Sequence, residues 1–286
     1  MTCFSYVLVT PARNEAGTIE ETIRSVLSQT IRPKEWVIVS DGSTDRTDEI
    51  VRAHAQAHPF ISLLRLEARP KRNFSSVVFA TESGVAALRT ADYDFIGLLD
   101  ADVRFQSDYF EILMTRFAAA PKLGLAGGVA VDVGGNEPPD RSLKDVAGAV
   151  QFFRRECFLS LGGLIAIREG GWDAITNVQA RLNGYETRTF GDLVVDHLKP
   201  RNSAEGGAIR RKWQLGVRDY ALGYHPAFEL AKCALRWRER PYLIAATARW
   251  SGFAWTTLCR RPRVLPPALV AQVRREQKSR MLHWGR

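Results

Sequence analysis

Phe95-Ile96-Gly97-Leu98-Leu99-Asp100-Ala101-Asp102 is the stretch that decides the fold. Five apolar residues without a break read as a strand buried on both faces, since a half-exposed strand alternates apolar with polar. Two carboxylates, one residue apart, stand where that strand ends. In an open α/β sheet, ligands collect beyond the carboxyl ends of the strands, and paired carboxylates there suit a hard divalent cation. A second D-x-D, Asp92-Tyr93-Asp94, precedes the same strand. Position separates the two pairs, because only the one at the strand exit faces the ligand side.

Upstream, residues 6–10, 36–39 and Ile61–Leu66 are further apolar strands, each followed by a polar loop or a helical stretch. Thr18 with Glu21 has the form of a capping box and opens a helix to about Gln29. Further helices are predicted to about Ala57 and over 74–88. Repeated β-α-β units imply an α/β fold, a mostly parallel, Rossmann-like sheet flanked by helices. Downstream, the pattern predicts a strand over 124–133, a helix over 145–161, a helix over 173–183 and a short strand over 193–195 ending at Asp196-His197. Segments 134–142 and 199–207 are polar and glycine-containing, the composition of flexible loops or closing lids. From Ala208 onward the pattern is helical and basic, punctuated by Pro226, Pro241 and Pro266-Pro267.

The chain has 286 residues, 45% hydrophobic and 25% charged, ordinary for a soluble globular protein. Its four cysteines are scattered, which argues against a zinc site or a disulfide framework and fits a reducing compartment. The first residues lack the pattern of a signal peptide, and no run of about 20 apolar residues offers a membrane span. The expected location is therefore the cytoplasm. The charge of +9 is divided: residues 209–286 carry 17 Lys/Arg and 4 Asp/Glu, while the first 208 carry 23 and 27. Arg210-Arg211-Lys212, Arg236, Arg260-Arg261 and Arg263 alternate with Trp213, Trp250 and Trp255. Basic residues beside tryptophans suit an anionic membrane surface, here the inner face of the cell membrane. They equally suit a helical subdomain packing its tryptophans inward. Nucleic acid is not an expected partner, since no recognisable nucleic-acid module accompanies the charge.

Three loops, at 11–17, 41–45 and 100–104, leave the predicted sheet on one side and should converge on one crevice. Asp41 could accept hydrogen bonds from a base or ribose, or could simply organise the Ser40-Asp41-Gly42-Ser43 turn. Arg69, Lys71 and Arg72 could neutralise a diphosphate or lie solvated. Asp173, in a glycine-rich context, reads as an N-cap or as a general base. His197 reads as a structural histidine or as a metal ligand.

Taken together these residues resemble a family 2 glycosyltransferase. The pieces are Val9-Thr10-Pro11-Ala12-Arg13-Asn14-Glu15, then Val39-Ser40-Asp41-Gly42-Ser43-Thr44-Asp45, Leu98-Leu99-Asp100-Ala101-Asp102, Gly162-Gly163, Asp173 and Val195-x-His197. The resemblance covers about residues 5–200. It implies the GT-A nucleotide-diphosphosugar-binding fold and an inverting, metal-dependent transfer of sugar from a UDP- or GDP-linked donor to a glycan or lipid-linked acceptor. It also implies site roles. Pro11, Arg13, Glu15, Asp41, Lys71, Arg72, Asp100 and Ala101 would bind the nucleotide. Asp102 and His197 would hold Mg²⁺ or Mn²⁺, and Asp173 would be the base. The implied catalytic domain is 1–205, with a donor half to about 104 and an acceptor half after it, and 206–286 is a basic extension. A nucleotidyltransferase or a non-catalytic nucleotide-sugar-binding protein are the alternatives.

Overall fold

The computed structural model describes residues 4–68, 73–134, 143–199, 207–236 and 242–282. In chain order the elements are β1 (Tyr6–Ala12), α1 (Ile19–Leu27), β2 (Glu35–Asp41), α2 (Thr47–Ala57), β3 (Ile61–Leu66), α3 (Ser75–Ala86) and β4 (Phe95–Leu99). These are followed by β5 (Val103–Phe105), α4 (Tyr109–Ala119), β6 (Leu123–Asp132), β7 (Val150–Arg154), α5 (Arg155–Ser160), α6 (Trp172–Leu182) and β8 (Glu186–His197). Four more helices follow among the described residues: α7 (Ala208–Ala221), α8 (Pro226–Leu235), α9 (Ile244–Leu258) and α10 (Pro267–Leu282).

The eight strands among the described residues form one sheet in the order β3-β2-β1-β4-β7-β6-β8-β5. β3, β2, β1 and β4 are parallel. Beyond them the sheet is mixed: β7 runs antiparallel to both β4 and β6, β6 is parallel to β8, and β5 is antiparallel to β8. Every residue of β2 and β4 is buried, so their apolar runs have no polar alternation. The polar exceptions are paired: buried Trp36 donates Nε1–H to Thr10 Oγ1 at 2.9 Å, and buried Glu35 accepts from the backbone N–H of Thr90 at 2.9 Å. On one face Tyr6, Phe95, Phe110, Phe117 and Phe152 stack with ring centroids 4.7–5.9 Å apart. A core of such rings is the main driving force for the sheet, at about 3–5 kcal/mol for truncating each one.

Four expectations need correction. Residues 150–154 are not part of a helix; they are β7, and only Arg155–Ser160 is helical. Val150 to Phe153 are buried between β4 and β6, and pairing with two neighbours outweighs a local pattern that reads as helix. The strand at 193–195 is the middle of a twelve-residue β8. The predicted loop at 100–104 runs into a strand, β5, from Val103 onward, and α4 lies in a stretch that carried no prediction. Thr18 forms no capping box. Its hydroxyl donates to Glu15 Oε2 at 2.9 Å, and Glu21 instead faces Arg104 at 3.2 Å. The predicted lid segments fall largely outside the described residues.

The chain divides into two compact units. The first comprises Met1–Arg72, Ser76–Leu164 and Gln179–Asn202; the second comprises Asn73–Ser75, Ile165–Val178 and Ser203–Arg286. The second unit has its own core of Ile167, Ile175, Leu222, Leu265, Leu269 and Val273. Pro226 and Pro267 each stand at the first position of a helix, where the missing N–H costs nothing. Inside it lies an ionic cluster. Arg249 on α9 donates to Asp219 on α7 at 2.9 Å and to Glu229 on α8 at 3.0 Å, and Lys232 reaches Asp219 at 3.1 Å. Three helices are thereby fixed in register around Asp219, Glu229 and Arg249, all buried.

Candidate functional site

β4 ends at Leu99, and the next three residues turn into β5, so Asp100 and Asp102 flank a buried Ala101 at the exit of the sheet. β5 pairs with β8, with Val103 opposite His197, and the Leu198 N–H donates to the Asp102 carbonyl at 2.8 Å. This ladder carries His197 to the carboxylates although 95 residues separate it from Asp102. One ligand atom from each of Asp100, Asp102 and His197 falls within 4.8 Å of the others. His197 Nε2 lies 3.6 Å from Asp102 Oδ1.

The donor set fits a divalent cation. His197 Nδ1 contacts the Lys199 carbonyl oxygen, a contact that holds the proton on Nδ1 and leaves the Nε2 lone pair facing the carboxylates. Two carboxylates and one imidazole nitrogen suit Mg²⁺ or Mn²⁺. Burial pushes the Asp102 carboxyl above its usual range, an effect that His197 and Lys199 oppose and Asp132 reinforces. A cation in contact with the carboxylate would reverse that rise.

Asp132 and Lys199 belong to this neighbourhood and were not singled out from the sequence. Asp132, at the end of β6, pairs with His197 in the sheet and sets Oδ1 3.8 Å from Nδ1. Lys199 Nζ forms an ion pair with Glu15 and lies 3.4 Å from the Asn14 carbonyl, which brings a cation to the loop after β1. The sequence signal for Lys199 was its spacing, two residues beyond His197. Asp132 had only a strand end as its signal.

The loops after β1 and β2 are tied to each other. Asn14 has φ 53° and accepts the Thr44 N–H at 2.9 Å. The Glu15 N–H donates to Thr47 Oγ1 at 2.8 Å, and Arg13 donates to the Asp41 carbonyl at 3.3 Å. Gly42 has φ 66°, and a Cβ there would stand 2.7 Å from the Ala68 Cα, so no other residue fits this turn without strain. Pro11, Arg13 and Glu15 are half-buried and Asp41 is buried. All of these lie in the first unit.

Asp173 lies in the second unit, in the first turn of α6. It is not the N-cap, since the helix begins at Trp172, and its carbonyl accepts from Asn177 Nδ2 at 2.9 Å. Lys71 and Arg72 lie outside the described residues. Asp92 and Asp94 sit at the entrance of β4: Asp94 accepts from the Ser5 N–H at 2.8 Å and Asp92 pairs with Lys34 at 2.8 Å.

The chain is similar to known proteins. The chain is 28% identical over 220 residues to a poly-beta-1,6-N-acetyl-D-glucosamine synthase of Staphylococcus aureus, covering 77% of this chain and 47% of that one. It is also 28% identical over 214 residues to the synthase of the same name from Staphylococcus epidermidis, covering 74% and 46%. The chain thus spans about half the length of these relatives. A mannosyltransferase from Pyrobaculum calidifontis, solved with GDP-Man and Mn²⁺, superposes with a TM-score of 0.60 at 20% identity, over 100% of this chain and 89% of that one. TarS from S. aureus, solved with UDP-GlcNAc, superposes with a TM-score of 0.56 at 17% identity, over 75% and 65%. These likenesses show the fold, that of the GT-A glycosyltransferases. The sequence profile of glycosyl transferase family 2 matches residues 7–172, more than half of the chain, and the protein belongs to that family.

Proposed function

We propose that this protein is a metal-dependent, inverting glycosyltransferase. It moves a hexosyl group from a UDP- or GDP-linked donor to a hydroxyl acceptor, a glycan or a lipid-linked sugar, in the synthesis of cell-surface polysaccharide or glycolipid. The observation that carries the reading is the meeting of Asp100, Asp102 and His197 at one sheet exit. The synthase names of the relatives and the nucleotide sugars bound by the structural neighbours support it.

In this reading Asp102 and His197 hold Mg²⁺ or Mn²⁺, with Asp100 toward the ribose. When bound, the cation stabilises the charge that develops on the leaving diphosphate. The protein supplies the rest. Asp41 accepts hydrogen bonds from the base, and Pro11, Arg13, Glu15 and Ala101 line the nucleotide pocket. Lys71, Arg72 and Lys199 place cations toward the phosphates. Asp173 takes the proton from the acceptor hydroxyl as the glycosidic bond forms. A single base opposite the leaving group gives inversion at the anomeric carbon. Residues 1–104 serve the donor, 105–205 serve the acceptor, and 206–286 form the basic extension. We place the protein in the cytoplasm, with the extension at the inner face of the membrane.

Asp173→Asn tests the assignment. Transfer should fall by about 10²–10⁴-fold, the worth of a general base, with Mn²⁺-dependent nucleotide binding and the unfolding midpoint unchanged. Loss of nucleotide binding in this variant would overturn Asp173 as base. A thermal-shift panel of nucleotides and nucleotide sugars, with and without Mn²⁺, tests the whole reading, which fails if no nucleotide gives metal-dependent stabilisation.

A further inference from the structure

The second unit holds a pocket that the transfer chemistry leaves unused. Its lining comes from residues 167–169 ahead of α6, from α7, and from the segment that follows α9. Three arginines, Arg168, Arg261 and Arg263, line it beside one acidic residue, Glu169. Arg263 is held in place: its guanidinium lies 4.0 Å above the Tyr220 ring, and Nε donates to the Tyr220 carbonyl at 3.0 Å. Arg168 and Arg261 are exposed, and neither side chain has a hydrogen-bond or ion-pair partner among the described residues. The remainder of the lining is mostly apolar, with Ile167, Val217 and Val264 among it. Such a pocket matches a phosphate group attached to an apolar body.

The pocket adjoins the end of an unusual helix. Arg249 is the single charged residue of α9, and it is 4% exposed and bound to Asp219 and Glu229. The exposed positions of α9, Ile244, Thr247, Ser251, Trp255, Thr257 and Leu258, carry no charge, and Leu258 is 80% exposed. Trp250 stacks on Phe253 with centroids 5.9 Å apart, whereas Trp255 is turned out. The helix closes with Arg261 N–H donating to the Thr256 carbonyl at 3.3 Å and Arg260 N–H to that of Thr257 at 3.1 Å. This turn puts Arg260 at φ 47°, where glycine is usual, and it places arginines beside the apolar end of the helix. From residue 241 to 275 the sequence has six arginines and no acidic residue.

We infer that this part of the second unit docks on an anionic phospholipid surface. The Arg168, Arg261 and Arg263 pocket seats a lipid phosphate, and the uncharged face of α9 lies in the interface. The inference rests on the proposed placement at the membrane and names the site that makes it. Charge decides the occupant. A second copy meeting this face across a two-fold axis would oppose arginine to arginine, whereas anionic headgroups complement it. Length decides the mode. Fifteen residues of helix span about 22 Å, short of the roughly 30 Å hydrocarbon core, so α9 lies along the surface.

The test is co-sedimentation of the full chain at physiological salt with phosphatidylcholine vesicles, with and without phosphatidylglycerol. Wild type should bind only the anionic vesicles. Arg168→Gln with Arg261→Gln should weaken binding about thirtyfold, the worth of two arginines near such a surface. Leu258→Glu should weaken it about tenfold or more. Unfolding midpoints and Mn²⁺-dependent nucleotide binding should match wild type in all variants. Equal vesicle binding by wild type and both variants would overturn the site while leaving the membrane placement standing. No binding by wild type would overturn both, with nucleotide binding showing that the donor site is intact. Stabilisation by inorganic phosphate, lost in the double variant and unaccompanied by vesicle binding, would make the pocket a soluble-anion site and overturn the lipid assignment.

Discussion

Asp132 places its carboxylate 3.8 Å from His197 Nδ1 and within the field that raises Asp102. It can orient the imidazole from the Nδ1 side, while Nε2 faces Asp102. Partners of this kind tune affinity, so Asp132→Asn should weaken Mn²⁺ binding about 10–100-fold, measured by titration calorimetry. Asp92→Asn and Asp94→Asn should leave it unchanged, since those carboxylates serve Lys34 and Ser5 at the other end of β4. At this scale the sequence was informative where a carboxylate stood just past the predicted end of a strand, as at Asp41 and Asp100. It was silent about Asp132 because proximity to His197 comes from the β6–β8 pairing. No local pattern encodes that.

Between elements, the crossing of α7 and α9 is set by two glycines. A Cβ at Gly216 would stand 1.9 Å from the Arg249 carbonyl oxygen, and one at Gly252 would stand 2.2 Å from that of Trp213. The obstacle in each case is backbone, which cannot rotate away. Gly216→Ala should therefore cost about 1–3 kcal/mol or more in urea unfolding. Gly17→Ala, with nothing within 4 Å of its added Cβ, should stay within about 0.5 kcal/mol. The charges bound at the same crossing respond to pH with opposite signs. Burial raises the Asp219 carboxyl, but Lys232, Arg249 and Arg218 outweigh it, and its pKa lies below the usual value. Its stabilisation is complete above the unfolded value near 4 and is lost as pH falls through the lower folded value. Burial, and then the Asp219 carboxylate, raise Glu229. Its contribution is therefore present below about 4.3 and is lost as pH rises through the raised folded value. Asp219→Asn should cost about 3–5 kcal/mol, because it strands buried cations. Glu229→Gln should flatten the decline of the unfolding midpoint above pH 4. The strands legible beforehand were those with an uninterrupted apolar run, and the helices α1, α2, α3 and α6 were legible between them. β7 was misread because Val150-Gln151-Phe152-Phe153-Arg154 has no period of its own, and its strand form comes from the slot between β4 and β6.

Across the whole molecule, the candidate metal ligands, Asp132, Lys199 and the loops after β1 and β2 all belong to the first unit, whereas the arginine pocket and α9 belong to the second. Mn²⁺ should accordingly slow amide hydrogen exchange near Asp100–Val103 and Asp196–Lys199 and leave α7 to α10 unchanged, as read by mass spectrometry. The sequence by itself determined the α/β class, the parallel strands β1 to β4, the strand exit that carries Asp100 and Asp102, and the division between an acidic body and a basic tail. Each of these is written in neighbouring residues, where hydrophobic run, turn chemistry and charge are local. The tertiary structure alone decided the antiparallel insertion of β7, the approach of Asp132 and Lys199 to His197, and the burial of Arg249 that leaves the outer face of α9 uncharged. Those depend on pairings and crossings between residues far apart in the chain, whose free energy is gained only when the fold brings them together.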